Sequence, residues 1–380
     1  TEYTDTRNSF LPPTKTTRLS PLTLSPEQLE RIKQATTFQE LACIRRELLD
    51  LEPLKSIKRA GELAPLVVVV NLIQDNLIRQ GVALSVRELE KKGWGSPPFP
   101  FAFLQFGSGG RSEQAIVSDQ DNGLIYELPE YLNDAEKEQV EGYFHLLGAT
   151  IVQGLEITGY PPCHGNVTCV SRLWRGSVAH WLEMLESWTA NPSWENARYL
   201  LLASDVRVLC GETSLLALVR EKFRLLLKDN PQLINRLVSN TLYYRVPLGL
   251  FGRVLPEVQG RYRGAVNLKY GVYLPIVNCV RQFALAHGIF ASSTLERLAQ
   301  LRERGIWSPA FCDEVESHFR PLLGLRLVTP LHWPEDGYAS LSYIKLKEMS
   351  PSTTAFARSA MKLAIRLQRM TAKLPTVFEG

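Results

Sequence analysis

Apolar residues at helical spacing dominate both ends of the chain, and a short stretch near residue 100 interrupts that period. Leu29, Ile32, Ala35, Leu41, Ile44, Leu48 and Leu49 recur every three or four positions, which predicts a helix running to about Asp50. Its start is written in Ser25-Pro26-Glu27-Gln28: an N-cap hydroxyl, a proline at the first helical position and a glutamine placed to close a capping box. A second helical pattern runs from about Leu66 to Arg79. The run Val67 to Val70 has strand propensity, but Leu72, Ile73, Leu77 and Ile78 continue the helical period, so helix is the reading. Residues 1 to 22 are rich in Thr, Ser and Pro without a period and read as an extended or mobile arm.

Pro97, Pro98 and Pro100 then break the chain ahead of Phe101 to Phe106, an aromatic run too short for a domain helix and read as a buried strand. It ends at Gly107-Ser108-Gly109-Gly110-Arg111. Ser118 to Tyr126 reads as a second strand, a Glu- and Lys-rich helix follows from about Asn133, and Asn166 to Val170 is a third strand candidate. From Trp174 onward nearly everything has helical period. Leu255 to Gly264 and Thr329 to Tyr338 read as Pro- or Gly-bearing connections. Trp174, Trp181 and Trp188 are seven apart, which predicts one helical face. They could stack bases, yet Glu183 and Glu186 between them would repel phosphates, and a buried seam against a neighbouring domain is preferred.

Length and charge narrow the class. The 380 residues suffice for two or three domains. A formal charge of +4, from 43 basic and 39 acidic residues, is too small for the cationic stripe of a nucleic-acid binder. The longest uncharged apolar stretch, Leu63 to Val70, is broken by Pro65 and falls short of the ~20 residues of a membrane span, so neither a nucleic acid nor a membrane is an expected partner. Cys43, Cys163, Cys169, Cys210, Cys279 and Cys312 form no C-x-x-C pair, which suggests reduced thiols and a cytoplasmic location. Cys163, His164 and Cys169 lack a second half to complete a zinc tetrahedron.

The candidate chemistry lies between Phe106 and Asp121. Asp119 and Asp121 are two apart, so on an extended strand both carboxylates leave the same face. Two like charges that close call for a cation, and a pair of hard oxygens suits Mg²⁺ or Mn²⁺, whose remaining ligands are waters and nucleotide phosphates. The Gly107, Ser108, Gly109, Gly110 turn leaves its amides open, and with the Ser108 hydroxyl these form an anion site. Arg111 could offer phosphate a bidentate fork; it could instead pair with Glu113 or Asp119 and hold the loop. Together the two features predict a site for an NTP with its metal.

Gly107-Ser108, ten further residues and Asp119-x-Asp121 resemble the signature of the DNA-polymerase-beta-type nucleotidyltransferase superfamily. The wider string, with Arg111, Glu113, Gln114, Ser118 and Asn122, looks more narrowly like the nucleotidyltransferase-like proteins related to the PII-uridylyltransferase. The similarity continues through Cys163-x-Gly165-Asn166-Val167, Asp205-x-Arg207 with Gly211, and Asn267-x-Lys269, and covers roughly residues 23 to 375. The chain leaves no room for the CBS or cyclic-nucleotide modules such proteins often carry upstream.

The resemblance implies an α+β fold: a helical N-terminal segment (23–95), a small mixed-sheet nucleotidyltransferase domain (96–215) and a C-terminal helical substrate-binding domain (216–380) forming the other wall of a cleft. It implies transfer of a nucleoside monophosphate from an NTP to an acceptor hydroxyl, with Asp119 and Asp121 on the metal, Gly107 to Arg111 on the phosphates and Lys269 reaching them from the helical domain. The acceptor could be a regulatory protein's tyrosine or a small molecule. Active members generally place a third carboxylate on the following strand, whereas residues 161–172 contain no Asp or Glu. Asn166 or Asp205 could supply the third ligand, the latter reading equally well as the partner of an arginine. A nucleotide sensor that performs no chemistry is the alternative.

Overall fold

The computed structural model describes residues 24–50, 60–163, 165–329 and 343–374; the arm expected over residues 1–22, His164 and most of the connection expected from Thr329 to Tyr338 lie outside the described residues. Ser25 caps the first helix in both directions: its hydroxyl accepts the Gln28 amide at 3.2 Å, and the Gln28 side chain accepts the Ser25 amide at 2.8 Å. That helix, α1 (Pro26–Gln34), stops well short of Asp50. A second capping box, Thr37 with Glu40, opens α2 (Phe38–Leu48). Because the Thr37 oxygen satisfies an amide that a continuous helix would pair with a carbonyl, a strong N-cap inside one apolar period divides it.

The helical reading of the valine run holds, within a longer element than expected: α3 spans Ala60–Lys91. Gly61–Lys91 is long and apolar enough, by length and composition alone, to cross a membrane. Leu63, Leu66, Val67, Val70, Ile73 and Leu77 are nonetheless buried in the main core of the molecule.

The central sheet has four strands in the order β3-β2-β1-β4: β1 (Phe101–Gln105), β2 (Asn122–Tyr126), β3 (Arg175–Ser177) and β4 (Arg207–Gly211). β1 pairs antiparallel with β2 and β4, while β2 and β3 are parallel. Alternation sorts the side chains onto two faces. Phe103, Leu124, Tyr126 and Leu209 pack against α3 and α5 (Asp134–Thr158), and Ala102, Leu104 and Ile125 face the helices that follow, α6 (Val178–Ala190) and α7 (Trp194–Ser204).

Two expectations need correction. Asn166 to Val170 forms no strand; the Val167 carbonyl accepts the Asn122 amide at 2.9 Å and the Cys169 amide bonds the Asn122 side chain at 2.9 Å, so this segment meets β2 through single bonds while β3 takes the ladder nine residues later. Trp174 precedes α6 rather than sharing its face with Trp181 and Trp188. All three are buried. Trp174 lies 5.0 Å, ring centre to ring centre, from Phe106, and the Trp181 indole donates to the Leu124 carbonyl at 3.1 Å, so the tryptophans form a seam beneath the sheet.

The remaining helices are α8 (Ser214–Asp229), α9 (Gln232–Thr241), α10 (Leu274–Ala286), α11 (Thr294–Glu303), α12 (Pro309–Val328) and α13 (Pro351–Thr371). A two-stranded antiparallel ribbon, β5 (Ala265–Asn267) with β6 (Tyr343–Lys345), precedes α10 and α13. Between β5 and α10 the chain makes one π-helical turn, Lys269–Tyr273, a local widening that is frequent at functional sites. The architecture is the expected one, a small mixed sheet with helical segments on either side.

Candidate active site

The end of β1 and the start of β2 are tied together at the site: the Phe106 amide donates to the Asp121 carbonyl at 2.9 Å. After Phe106 the backbone enters a four-residue helical turn, Gly107–Gly110, immediately facing the Asp119–Asp121 segment. Two positions in this turn disfavour any side chain. Gly107 has φ +53°, and a Cβ there would lie 2.6 Å from Asp121 Oδ2; a Cβ on Gly110 would lie 2.1 Å from the Asp205 carbonyl oxygen and 2.8 Å from that of Gln105. The amides of Gly107, Ser108 and Gly109 are those that a helical start leaves without a carbonyl four residues back. Asp119 and Asp121 lie just before β2, with Gln120 and Asn122 buried between and after them. Both acids therefore leave one side of an extended segment, and they line a common cavity with Ser108 and Gly109.

Charge sets this pair apart. The fully buried acids among the described residues all have a guanidinium partner: Asp75 receives two bonds from Arg207 at 2.6 and 2.8 Å, Glu113 pairs with Arg111 at 2.8 Å, and Asp205 holds three arginines; Asp119 and Asp121 are half-buried. Asp119 and Asp121 make no ion pair among the described residues. Burial first, and the Asp119 charge second, push the Asp121 carboxyl up to about 6, against the hydrogen bond it receives from the Cys163 thiol and the more distant charge of Lys269. Lys269, on the π-helical turn, feels both carboxylates, while burial lowers its own pKa. Tyr270 is held above the usual phenol value by burial and by the same two acids. The helical domain thus contributes a cation and an aromatic ring to the acid pair's surroundings. Cys163 and Tyr270 were not legible as neighbours: a lone thiol in a loop and a tyrosine 150 residues away carry no spacing signal.

The structure resolves the roles left open for Arg111 and Asp205. Arg111 is buried and fully engaged: Nε to Glu113 at 2.8 Å, one terminal nitrogen to the Asp205 carboxylate, the other to the Tyr273 hydroxyl at 2.8 Å. It holds the loop rather than offering its fork to phosphate, a correction to the phosphate role expected of it. Asp205, at 0% exposure, also meets Arg281 at 3.2 Å and Arg297 at 2.9 Å. Burial would raise its pKa, but Arg281, Arg111 and Arg297 outweigh that effect and hold it below the usual range. A carboxylate shared by three guanidinium groups is not free to ligate a metal, so Asp205 is corrected to a structural anchor. Asn166 is exposed at φ +53°, with its amide bonded to the Cys163 carbonyl at 3.2 Å; no hydrogen bond joins its side chain to the acid pair.

Two neighbouring carboxylates that make no direct ion pair among the described residues can hold one divalent cation. Among the described residues no group of three or more His, Cys, Asp and Glu completes a closed metal site. A two-oxygen donor set with open positions fits a hard ion that keeps waters and takes phosphate oxygens, such as Mg²⁺ or Mn²⁺, and does not fit a structural zinc.

Two family models match the chain. Residues 55–195 match the family model described as "Putative nucleotidyltransferase DUF294", and residues 231–374 match that described as "Putative nucleotidyltransferase substrate binding domain". Both domains are present in the chain, and nucleotidyl transfer is the activity they suggest. No protein of curated function matches the chain.

Proposed function

We propose that the protein transfers a nucleoside monophosphate from an NTP to a hydroxyl of a protein or small-molecule acceptor, releasing pyrophosphate. The observation that carries this reading is the half-buried Asp119–Asp121 pair, which makes no ion pair among the described residues, set against the Gly107 turn in a fold where the fully buried acids are neutralised by arginines. Two like charges held this close, even half-buried, are unfavourable unless a ligand offsets the repulsion. Here the ligand is a divalent cation arriving with a triphosphate. Asp119 and Asp121 would hold Mg²⁺ or Mn²⁺, which supplies charge neutralisation at the phosphates. The amides of Gly107 to Gly109 and the Ser108 hydroxyl would position the β- and γ-phosphates. Lys269 would approach from the opposite wall. Gly110 and Arg111 support the turn from behind. The kinship to the PII-uridylyltransferase suggested by the motif makes a regulatory protein one acceptor to try first, in a cytoplasmic setting.

The missing third acid favours a second reading, a nucleotide-binding sensor without chemistry. In the superfamily resembled, that acid is usually the base for the acceptor hydroxyl, and here Asp205 is bound by arginines. One experiment separates the two. The protein is incubated with each α-labelled NTP, Mg²⁺ and a cell lysate. Label transfer that disappears in Asp119→Asn supports the enzyme. Mg²⁺-dependent NTP binding with neither transfer nor pyrophosphate supports the sensor, and absence of any Mg²⁺-dependent binding removes both.

A further inference from the structure

Beside the acid pair runs a ledge of four aromatic rings, of which three are exposed and Tyr244 is half-buried. Tyr270 and Tyr244 are stacked with ring centres 5.5 Å apart and planes 24° from parallel; Tyr244 meets Tyr243 at 5.7 Å, and Tyr243 meets Trp194 at 5.4 Å. Tyr270 is 44% exposed, Tyr243 71% and Trp194 53%. A molecule that buries its tryptophan seam has left three of these rings uncovered with a half-buried one joining them, and such an exposed aromatic surface marks a binding site. The backbone beneath the ledge is pinned. The Tyr270 amide donates to the Asn267 side chain at 2.9 Å, the Tyr244 carbonyl accepts from Gln368 at 2.7 Å and the Trp194 carbonyl from Asn240 at 3.0 Å.

One end of the ledge abuts the candidate active site. Lys269, which feels both acids, places its ammonium 5.5 Å from the Tyr270 ring centre. On the other side, Arg198 lies four residues after Trp194 on α7 and so shares its face. Its guanidinium comes 3.8 Å from where a Gly165 Cβ would stand, a point 3.4 Å from the thiol of Cys163. Lys269 thus links the first ring of the ledge to the acid pair, and Arg198 links its far end to the loop that carries Cys163.

We infer that the Tyr270–Tyr244 end of this ledge is the seat of the nucleobase of the bound NTP. The inference rests on the proposed nucleotide site and adds to it where the base goes and how it is read. In a nucleotide the base is one ribose away from the phosphates, and the first ring of the ledge is the residue next to Lys269, whose ammonium lies over it and feels both acids. A base held by its face is read by stacking area, without hydrogen-bond identity, so purine nucleotides bind more tightly than pyrimidine ones without strict selection.

The test compares ATP, UTP and inorganic tripolyphosphate, each with Mn²⁺, by titration calorimetry on the full chain. The wild type is expected to bind ATP more tightly than UTP, and both more tightly than tripolyphosphate. Tyr270→Ala should weaken both nucleotides roughly 10-fold or more, as loss of one stacking partner does, and leave tripolyphosphate within about twofold. Tyr244→Ala should do the same to a smaller extent, and Tyr270→Phe should retain wild-type affinity. Equal losses for tripolyphosphate and nucleotide, or unchanged nucleotide affinity in Tyr270→Ala, overturn the inference while leaving the phosphate site standing. Failure of the wild type to bind any of the three overturns the proposed site and this inference together. A variant that keeps NTP affinity but loses only an acceptor's KM assigns the ledge to the acceptor and overturns the base assignment.

Discussion

Two aspartates in this molecule occupy opposite electrostatic situations, and that contrast makes their replacement diagnostic. Asp205 is surrounded by Arg111, Arg281 and Arg297. Removing its charge leaves three buried guanidinium groups under-compensated, which costs about 3–5 kcal/mol when a buried pair is broken. Asp205→Asn should therefore lower the denaturant midpoint sharply. Asp121 is the reverse: its neighbour is another acid, and its carboxyl is raised from 3.8 to about 6. Between these two values the native state binds more protons than the unfolded chain, so its stability falls as pH rises through the interval and stays reduced above it. Asp121→Asn removes that penalty. At pH 7 to 8 without metal the variant should be more stable than wild type by on the order of 2–3 kcal/mol, the difference shrinking to nothing near pH 4, while Mn²⁺-dependent nucleotide binding is lost. Denaturant titrations of both proteins from pH 4 to 8 check the sign; a variant less stable than wild type at pH 8 contradicts the account.

At the scale of elements, the glycine turn separates a functional constraint from a structural one within four residues. A methyl group on Gly110 meets backbone on two sides, the carbonyls of Asp205 and Gln105, and neither can move without shifting β1 or the end of α7. Gly110→Ala should cost about 3 kcal/mol or more. A methyl on Gly107 meets only the end of the Asp121 side chain, besides requiring a left-handed φ, so Gly107→Ala should cost about 1–2 kcal/mol of stability yet abolish metal-dependent nucleotide binding by displacing the carboxylate. Thermal melts beside calorimetry distinguish the two. The turn and the alternation of Asp119 and Asp121 were legible because both depend on neighbours within a dozen residues. β4 was not: Arg207–Gly211 follows a helical apolar run directly, and only its pairing with β1, a hundred residues earlier, makes it a strand. The break between α1 and α2 was legible in principle, at Thr37 and Glu40, but the apolar period hides it. The roles of Arg111 and Asp205 could not be read, since their bonds to one another and to Tyr273 span 94 and 162 residues.

Across the whole molecule, the two regions that match separate families do not form separate cores. Leu63, Leu66, Val70 and Ile73 of α3 lie in one buried cluster with Val272, Ile276, Phe319 and Leu322 from the helical region. The arginine cluster joins the same two regions by charge: Glu113 accepts the Thr294 amide at 3.1 Å and the Tyr273 hydroxyl at 2.5 Å, and Arg297 donates to the Ser204 carbonyl at 2.8 Å. Separating the regions would expose the apolar face of α3, strip Asp205 of Arg281 and Arg297, and strip Glu113 of the Thr294 amide and the Tyr273 hydroxyl, each an unfavourable loss. The chain should consequently unfold in a single calorimetric transition, with the van't Hoff and calorimetric enthalpies equal. A fragment ending near residue 230 should lack a cooperative melt. Two resolved transitions, or a well-folded fragment, would show that the cleft walls are hinged bodies. A single transition means that Lys269 and Tyr270 are held opposite the acid pair before any nucleotide arrives, so the binding free energy need not assemble the site.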